Sequence, residues 1–247
     1  MMTLKKLFFL VVSILFLFGF SIDAHRGITA KAFDYLPEIM DGFVNRFSDP
    51  VLDSVPPYYM LPDIEEPGHT LENIAALTAQ YFHQLVQNLL EDDLREAEKN
   101  IGRIAHLIGD AVSPTQNDPR TWGDIDDYYD FNITDPFFDR ITITVDRQKE
   151  PLLVDDIEVF VFDLARASVR HNDYLMMIYE RHRNSPETVF DKTKDVFDVQ
   201  MSAGVEALRD ILFTAWDQAG KPEYFDDPGG GGCSGLSPFH ITYRDVK

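Results

Sequence analysis

Apolar residues recur at helical spacing over most of the chain. A predicted helix over 25–46 is followed by an amphipathic helix over 70–90, and a third helix begins after the polar run 91–93. This third helix ends near Val112, because Pro114 disfavours helical backbone just before it. Two more long helices are predicted over 154–183 and 187–219, and Pro37 would bend or interrupt the first helix.

Two stretches break this helical pattern. Residues 48–68 are rich in proline and aspartate and are predicted to form a loop. Residues 114–150 contain further prolines and aspartates, and the alternating run Ile141–Val145 predicts a short strand. No boundary separates two cores, so the pattern predicts an all-α fold with a single domain of about five to seven helices.

The two ends of the chain differ from this helical region. Lys5 and Lys6 precede the apolar run Leu7–Phe20, and Ala24 follows, which is typical of a signal peptide over residues 1–24. Cleavage after Ser21 and a membrane anchor are the alternatives, although a spanning helix needs about 20 apolar residues. We therefore expect a secreted or periplasmic domain over 25–222. Residues 223–247 form a Gly-rich tail predicted to be flexible, in which Cys233 could instead mark an attachment or processing signal.

Composition narrows the class of protein further. Hydrophobic residues make up 45 % of the chain and include 19 Phe, which is enough for a substantial core. The net charge of −20 repels phosphates at long range and argues against nonspecific binding of duplex nucleic acid. Cys233 is the only cysteine, so an exported domain would have to draw its stability from its core, from metal or from both.

Several His and Asp residues have the spacing of metal ligands. An i, i+4 pair on a helix directs two donors to one point, and imidazole with carboxylate suits zinc and related divalent ions. Taken singly, each residue also fits a surface ion pair, a packed histidine, a turn or a solvated acidic loop. The candidates are His25, Asp63, His69, the pair His106 and Asp110, and the pair Asp126 and Asp130.

In combination, these segments resemble the bacterial zinc-dependent phospholipase C family, which shares its fold with the fungal single-strand-specific zinc nucleases. The most specific match is His106-x-x-x-Asp110 followed by Pro114, and the resemblance extends to about residue 222. It implies a multi-helix fold with a metal cluster between helices. The other matching segments are HRGITAKAFDYL at 25–36, LPDIEEP at 61–67, QYFH at 80–83 and MSAGVEALRDILFTAWDQAG at 201–220.

The resemblance implies two zinc sites. Asp63, His69, His106 and Asp110 would form the first, and Asp110 would bridge to a second zinc held by His25 and an N-terminal amine. In the family this amine belongs to a Trp several residues before the helix, which this chain lacks. Cleavage after Ala24 would instead give His25 both an α-amine and an imidazole.

At a third position this chain departs from the family. Gln116 stands where the family has a His, and Asp126 and Asp130 stand where it has a His and a carboxylate four residues apart. Zinc favours nitrogen and sulfur donors, whereas amide and carboxylate oxygens suit harder ions. We therefore expect this position to hold Mg²⁺, Mn²⁺ or Ca²⁺, or to be empty.

The function implied by the resemblance is an exported metal-dependent phosphodiester hydrolase of the phospholipase C type. A metal-activated water would attack phosphorus in a phospholipid or a similar ester, and Asp63 would orient or deprotonate that water. The alternatives are a single-strand nuclease of the same fold and a non-catalytic metal-binding domain. We expect a monomer whose peripheral membrane contacts come from this domain itself, with nucleic acid a less favoured partner than lipid.

Overall fold

The computed structural model describes residues 22–54, 70–121, 124–146 and 149–224. Every regular element within these ranges is helical, which confirms the all-α prediction. Most of the predicted signal peptide, the loop that carries Asp63 and His69, and the tail from residue 225 lie outside the described residues.

Eight helices, here named α1 to α8, make up the described fold. None of them combines the length and the apolar character needed to cross a membrane. Helix α5 widens at its centre into one π-helical turn over Asp130–Thr134 and resumes over Asp135–Phe137. The helices are α1 (Ile22–Asp34), α2 (Asp41–Ser54), α3 (Leu71–Leu90), α4 (Leu94–Val112), α5 (Asp124–Phe137), α6 (Ile157–Val169), α7 (Asn172–His182) and α8 (Pro186–Gln218).

Helix α4 lies at the centre of the fold. It packs against α1, α2, α3, α6 and α8. Every residue from Ile104 to Val112 is buried, whatever face of the helix it occupies. A helix enclosed on all sides is normally apolar throughout, so the polar side chains of His106 and Asp110 in this stretch must find partners inside the protein.

Sequence signals at the ends of α3 and α4 account for their bounds. The hydroxyl of Thr70 accepts a hydrogen bond from the Asn73 amide at 3.3 Å, and the carboxylate of Asp93 accepts one from the Glu96 amide at 3.3 Å. Each is an N-cap contact, which satisfies an amide that has no partner within its helix. The predicted helix over 70–90 and the predicted end near Val112 are confirmed.

The first predicted helix is interrupted at Pro37, where a 3₁₀ turn over Glu38–Met40 separates α1 from α2. The loop predicted to begin at residue 48 is wrong up to residue 54, because α2 continues through Pro50. Phe43, Phe47 and Val51 are buried at i, i+4 spacing, and their packing outweighs the local proline and aspartate signals.

The strand predicted over Ile141–Val145 is wrong, because the segment has no regular secondary structure. The Thr142 amide donates to Asp198 Oδ1 at 2.8 Å, and the Thr144 amide donates to Ser202 Oγ at 2.9 Å. Both acceptors belong to α8. Alternate backbone amides of the segment therefore find hydrogen-bond acceptors on side chains of α8, so these amides need no partner strand.

The single helix predicted over 154–183 is also wrong, because it is divided into α6 and α7. The break falls at Arg170 and His171, and the buried Asn172 begins α7. Asn172 Nδ2 lies 3.3 Å from Thr121 Oγ1 and donates a hydrogen bond to it. This contact ties the start of α7 to the segment that follows α4, whereas the final predicted helix over 187–219 is confirmed as α8.

Gly204 lies where α8 packs tightly against α1 and α4. A Cβ atom at this position would lie 3.1 Å from Val112 Cγ2 and 3.2 Å from Ile28 Cδ1. We predict that Gly204→Val lowers the free energy of unfolding by about 1–3 kcal/mol, because two further methyl groups have no space. Urea unfolding measures the effect. Ala203→Val, at a half-buried neighbour in the same helix, is the matched control; an equal loss there would contradict the steric explanation.

Candidate metal centre

His25, His106 and Asp110 converge in the interior of the described fold. His25 Nε2 lies 3.2 Å from Asp110 Oδ1, and His106 Nε2 lies 3.2 Å from Asp110 Oδ2. The two imidazole rings are stacked, with centroids 4.9 Å apart. The side chains of His25 and Asp110 are fully buried and that of His106 is 2 % exposed, which excludes a surface ion pair.

The local sequence of α4 explains this convergence. His106 and Asp110 lie one turn apart, so their side chains project from the same face of the helix. His25 reaches them from α1, and its ring lies against Gly109. A Cβ atom at Gly109 would lie 2.4 Å from His25 Cδ2 and 2.6 Å from His25 Nε2. Only glycine leaves space for the imidazole at this position.

The donor set fits a divalent metal ion. Each of the three residues offers one ligand atom, and these atoms lie within 4.8 Å of one another. Ligands bound at about 2.1 Å to a tetrahedral zinc lie roughly 3.4 Å apart, close to the two 3.2 Å separations between imidazole nitrogen and carboxylate oxygen. The group could therefore hold a metal ion. Its donors alone do not fix which metal.

Asn117 supports the end of the helix that carries the candidate ligands. Its Nδ2 atom lies 2.8 Å from the carbonyl oxygen of Asp110, 3.0 Å from that of Ala111 and 2.7 Å from that of Ser113. The last carbonyls of a helix have no partner within it, and the Asn117 amide supplies one. Its sequence position, three residues after Pro114, gave no sign of this role.

The segment after α4 leads from the candidate ligands to a second group of acidic residues. Thr121 Oγ1 donates to the carbonyl of Asp118 at 2.7 Å, and the Arg120 guanidinium beside Asp118 lowers the pKa of that carboxyl to about 2. Thr115 Oγ1 donates to Asp126 Oδ1 at 2.6 Å. These contacts fix the backbone around Gln116 and hold Asp126 against it.

The third predicted position is buried, so its residues do not form a solvated acidic loop. Gln116 is 5 % exposed, Asp126 is 9 % exposed and Asp130 is 1 % exposed. Burial raises the pKa of Asp130 well above its usual range, and the neighbouring charges of Asp126, Asp135 and Asp110 raise it further. The acidic group therefore lies close enough to the His–Asp group for the charge of Asp110 to act on Asp130.

The remaining site predictions have different outcomes. Asp63 and His69 lie outside the described residues. The first zinc site, in which they would join His106 and Asp110, therefore stays a prediction. Two aromatic residues flank Asp130: Tyr129 is buried in the core, whereas the ring of Phe131 is 40 % exposed. The roles of Gly109 and Asn117 were missed, because each depends on contacts that form only once the helices pack.

No protein-family model matches this chain, and neither a curated protein nor a solved structure is found to match it.

The contact at Gly109 gives a test of the geometry. We predict that Gly109→Ala displaces the His25 imidazole and weakens zinc binding by at least about tenfold, as misplacing a metal ligand does. Isothermal titration calorimetry of the metal-free protein with Zn²⁺ measures the change.

A second substitution isolates the steric cause. In a His25→Ala background the added methyl group has space, so Gly109→Ala should cause no further loss of zinc affinity. Equal losses in the two backgrounds would contradict a direct contact between Gly109 and His25.

Proposed function

We propose that this protein is a metal-dependent phosphodiester hydrolase of the zinc phospholipase C type. The observation that carries the proposal is the convergence of His25, His106 and Asp110, which belong to two helices in contact, with His25 and Asp110 85 positions apart in the sequence. The motif resemblance assigns the same three residues as ligands: His106 to the first zinc, His25 to the second, and Asp110 as the bridge between them. An i, i+4 pair such as His106 and Asp110 is common on helix surfaces. The addition of His25 from a distant part of the sequence is harder to explain in that way.

His25, His106 and Asp110 would hold the metal. Nε2 of each imidazole lies 3.2 Å from a different oxygen of the Asp110 carboxylate, so these are the atoms available to it. Bound zinc would supply Lewis-acid stabilisation of charge on a phosphoryl oxygen. The apolar residues around α4 exclude bulk water, which strengthens electrostatic interactions within the centre. Asp63 would orient or deprotonate the attacking water.

The third position differs in chemistry from the His–Asp group. Gln116, Asp126 and Asp130 offer only oxygen donors, so we do not assign zinc there. In the family this position assists the leaving oxygen. We therefore expect turnover to depend on a harder ion, or to be slow when only zinc is supplied.

A phospholipid or similar ester is the favoured substrate, and single-stranded nucleic acid is the second candidate. The net charge of −20 opposes the approach of a polyanion. The exposed ring of Phe131 favours the alternative to a limited extent, because nucleases of single strands stack bases on aromatic side chains.

Removal of His106 tests the metal centre. We predict that His106→Ala abolishes tight zinc binding, because a buried ligand is lost and Asp110 keeps only one of its two imidazole partners. Metal content after dialysis, measured by inductively coupled plasma mass spectrometry, reports the outcome. His83→Ala, at an exposed histidine of α3, is the control and should retain the wild-type zinc content.

Substrate assays test the activity itself. Purified mature protein loaded with Zn²⁺, and supplemented with Mn²⁺ or Mg²⁺, is expected to hydrolyse phosphatidylcholine faster than single-stranded DNA. A preference for DNA would favour the nuclease. Hydrolysis of neither substrate by a protein that retains zinc would favour a non-catalytic metal-binding domain.

The mature N-terminus provides a further test. Helix α1 begins at Ile22 and continues through Ala24, which is fully buried. Cleavage after Ala24 would place a new α-amine on His25, whose imidazole lies 3.2 Å from Asp110. An α-amine has a pKa near 8 and loses its proton on metal binding. We predict that N-terminal sequencing of the exported protein begins at His25; any other start would contradict chelation by both groups of this residue.

A further inference from the structure

Asn132 lies in the acceptor motif for N-linked glycosylation. The sequence has eight asparagines, and only Asn132 is followed two positions later by serine or threonine, in Asn132-Ile133-Thr134. In exported proteins, oligosaccharides are attached to asparagines in the pattern Asn-x-Ser/Thr, where x is not proline. So short a pattern also arises by chance, and its meaning depends on where the fold places the asparagine.

The π-helical turn presents Asn132 to solvent. Asn132 and its neighbour Phe131 are exposed, whereas Ile133 and Thr134 are fully buried. No residue in the described part of the chain forms a hydrogen bond with the Asn132 side chain. One side of the turn therefore packs against the core, and the other side leaves space for a bulky, solvated group on Asn132.

The hydroxyl of Thr134, the third residue of the motif, has a structural role in the folded protein. It donates to the carbonyl of Tyr129 at 2.7 Å and lies 3.3 Å from the carbonyl of Asp130. Because Thr134 is fully buried, an enzyme that recognises this hydroxyl cannot reach it in the folded domain. Attachment would have to precede the folding of α5, which agrees with attachment during export. Residues 1–24 predict that export.

We propose that Asn132 carries an N-linked oligosaccharide in the exported protein. The donor is an oligosaccharide held on a polyprenyl diphosphate in the membrane of the exporting cell. Nδ2 of Asn132 forms a bond to C1 of the first sugar and loses one proton, while the bond from C1 to the diphosphate oxygen breaks and the lipid diphosphate leaves. The inference rests on the predicted export, and it does not depend on zinc or on the proposed hydrolase activity.

The attached sugar would lie beside the ring of Phe131, which is 40 % exposed. Contact between the apolar face of a sugar and this ring would remove apolar surface from water. Asp130, two positions before Asn132, is 1 % exposed. The oligosaccharide therefore stays on the outer side of α5, and we expect it to leave the buried His–Asp group unchanged.

Mass spectrometry of the protein purified from the cells that produce it, or from their medium, tests the inference. We expect an intact mass above that of the polypeptide by whole sugar residues, and peptide fragmentation should locate the added mass at Asn132. N-terminal sequencing of the same sample establishes whether the signal peptide was removed. A processed protein with unmodified Asn132 would overturn the inference. An unprocessed protein that stays in the cell would overturn it too, because attachment requires export.

Two variants and one control locate the site. Asn132→Gln keeps an amide but loses the acceptor, and it should lose all of the added mass. Thr134→Ser keeps the hydroxyl that the motif requires and should retain the oligosaccharide. Asn184→Gln, at another exposed asparagine that lacks the motif, should also retain it. Undiminished added mass in Asn132→Gln would contradict the proposal, because the sugar would then be attached elsewhere.

Zinc content, measured on the same samples, separates this inference from the proposed function. Wild type and Asn132→Gln should hold equal amounts of zinc, because the substituted side chain is exposed and remote from the ligand atoms in the core. His106→Ala should lose zinc and keep the oligosaccharide, because attachment precedes folding. A zinc-loaded protein without the sugar would overturn this inference alone, and a glycosylated protein without zinc would overturn only the metal centre.

Discussion

The burial of α4 on every side between Ile104 and Val112 is the constraint on which the rest of the structure depends. This part of the helix has no solvent-facing stripe, so the side chains of His106 and Asp110 must be satisfied by groups that the fold brings to them. The His25 imidazole contacts Asp110 from α1, and the side-chain amide of Asn117 donates hydrogen bonds to the carbonyls at the end of the helix. The polar centre and the apolar core are therefore built by the same packing.

Local sequence patterns correctly predicted those helices and helix ends that depend on residues close in sequence. The apolar period of α3, the end of α4 before Pro114 and the interruption at Pro37 all follow from residues close in sequence. Where prediction was wrong, contacts distant in sequence decided the outcome. The run Ile141–Val145 alternates like a strand, yet its amides bond to side chains of α8.

The residues of the candidate site also fall into those that local sequence could predict and those that depend on distant contacts. The spacing of His106 and Asp110 could be recognised in the sequence, and the motif resemblance added His25. The need for glycine at Gly109 is visible only once α1 lies against α4. Asp135 follows Asp130 by five residues, a spacing that a regular α-helix does not align. The π-helical turn, and with it the position of Asp135 relative to Asp130, could not be predicted from residues close in sequence.

The distance along the chain between His25 and Asp110 has a consequence for the order of folding. Contacts this far apart carry a large loop-closure entropy and tend to form after local helices. The α3–α4 hairpin can form from neighbouring segments, but the three-residue group is incomplete until α1 docks on it. Tight capture of a metal by all three side chains would therefore be a late event, and its rate would report the docking of the first helix.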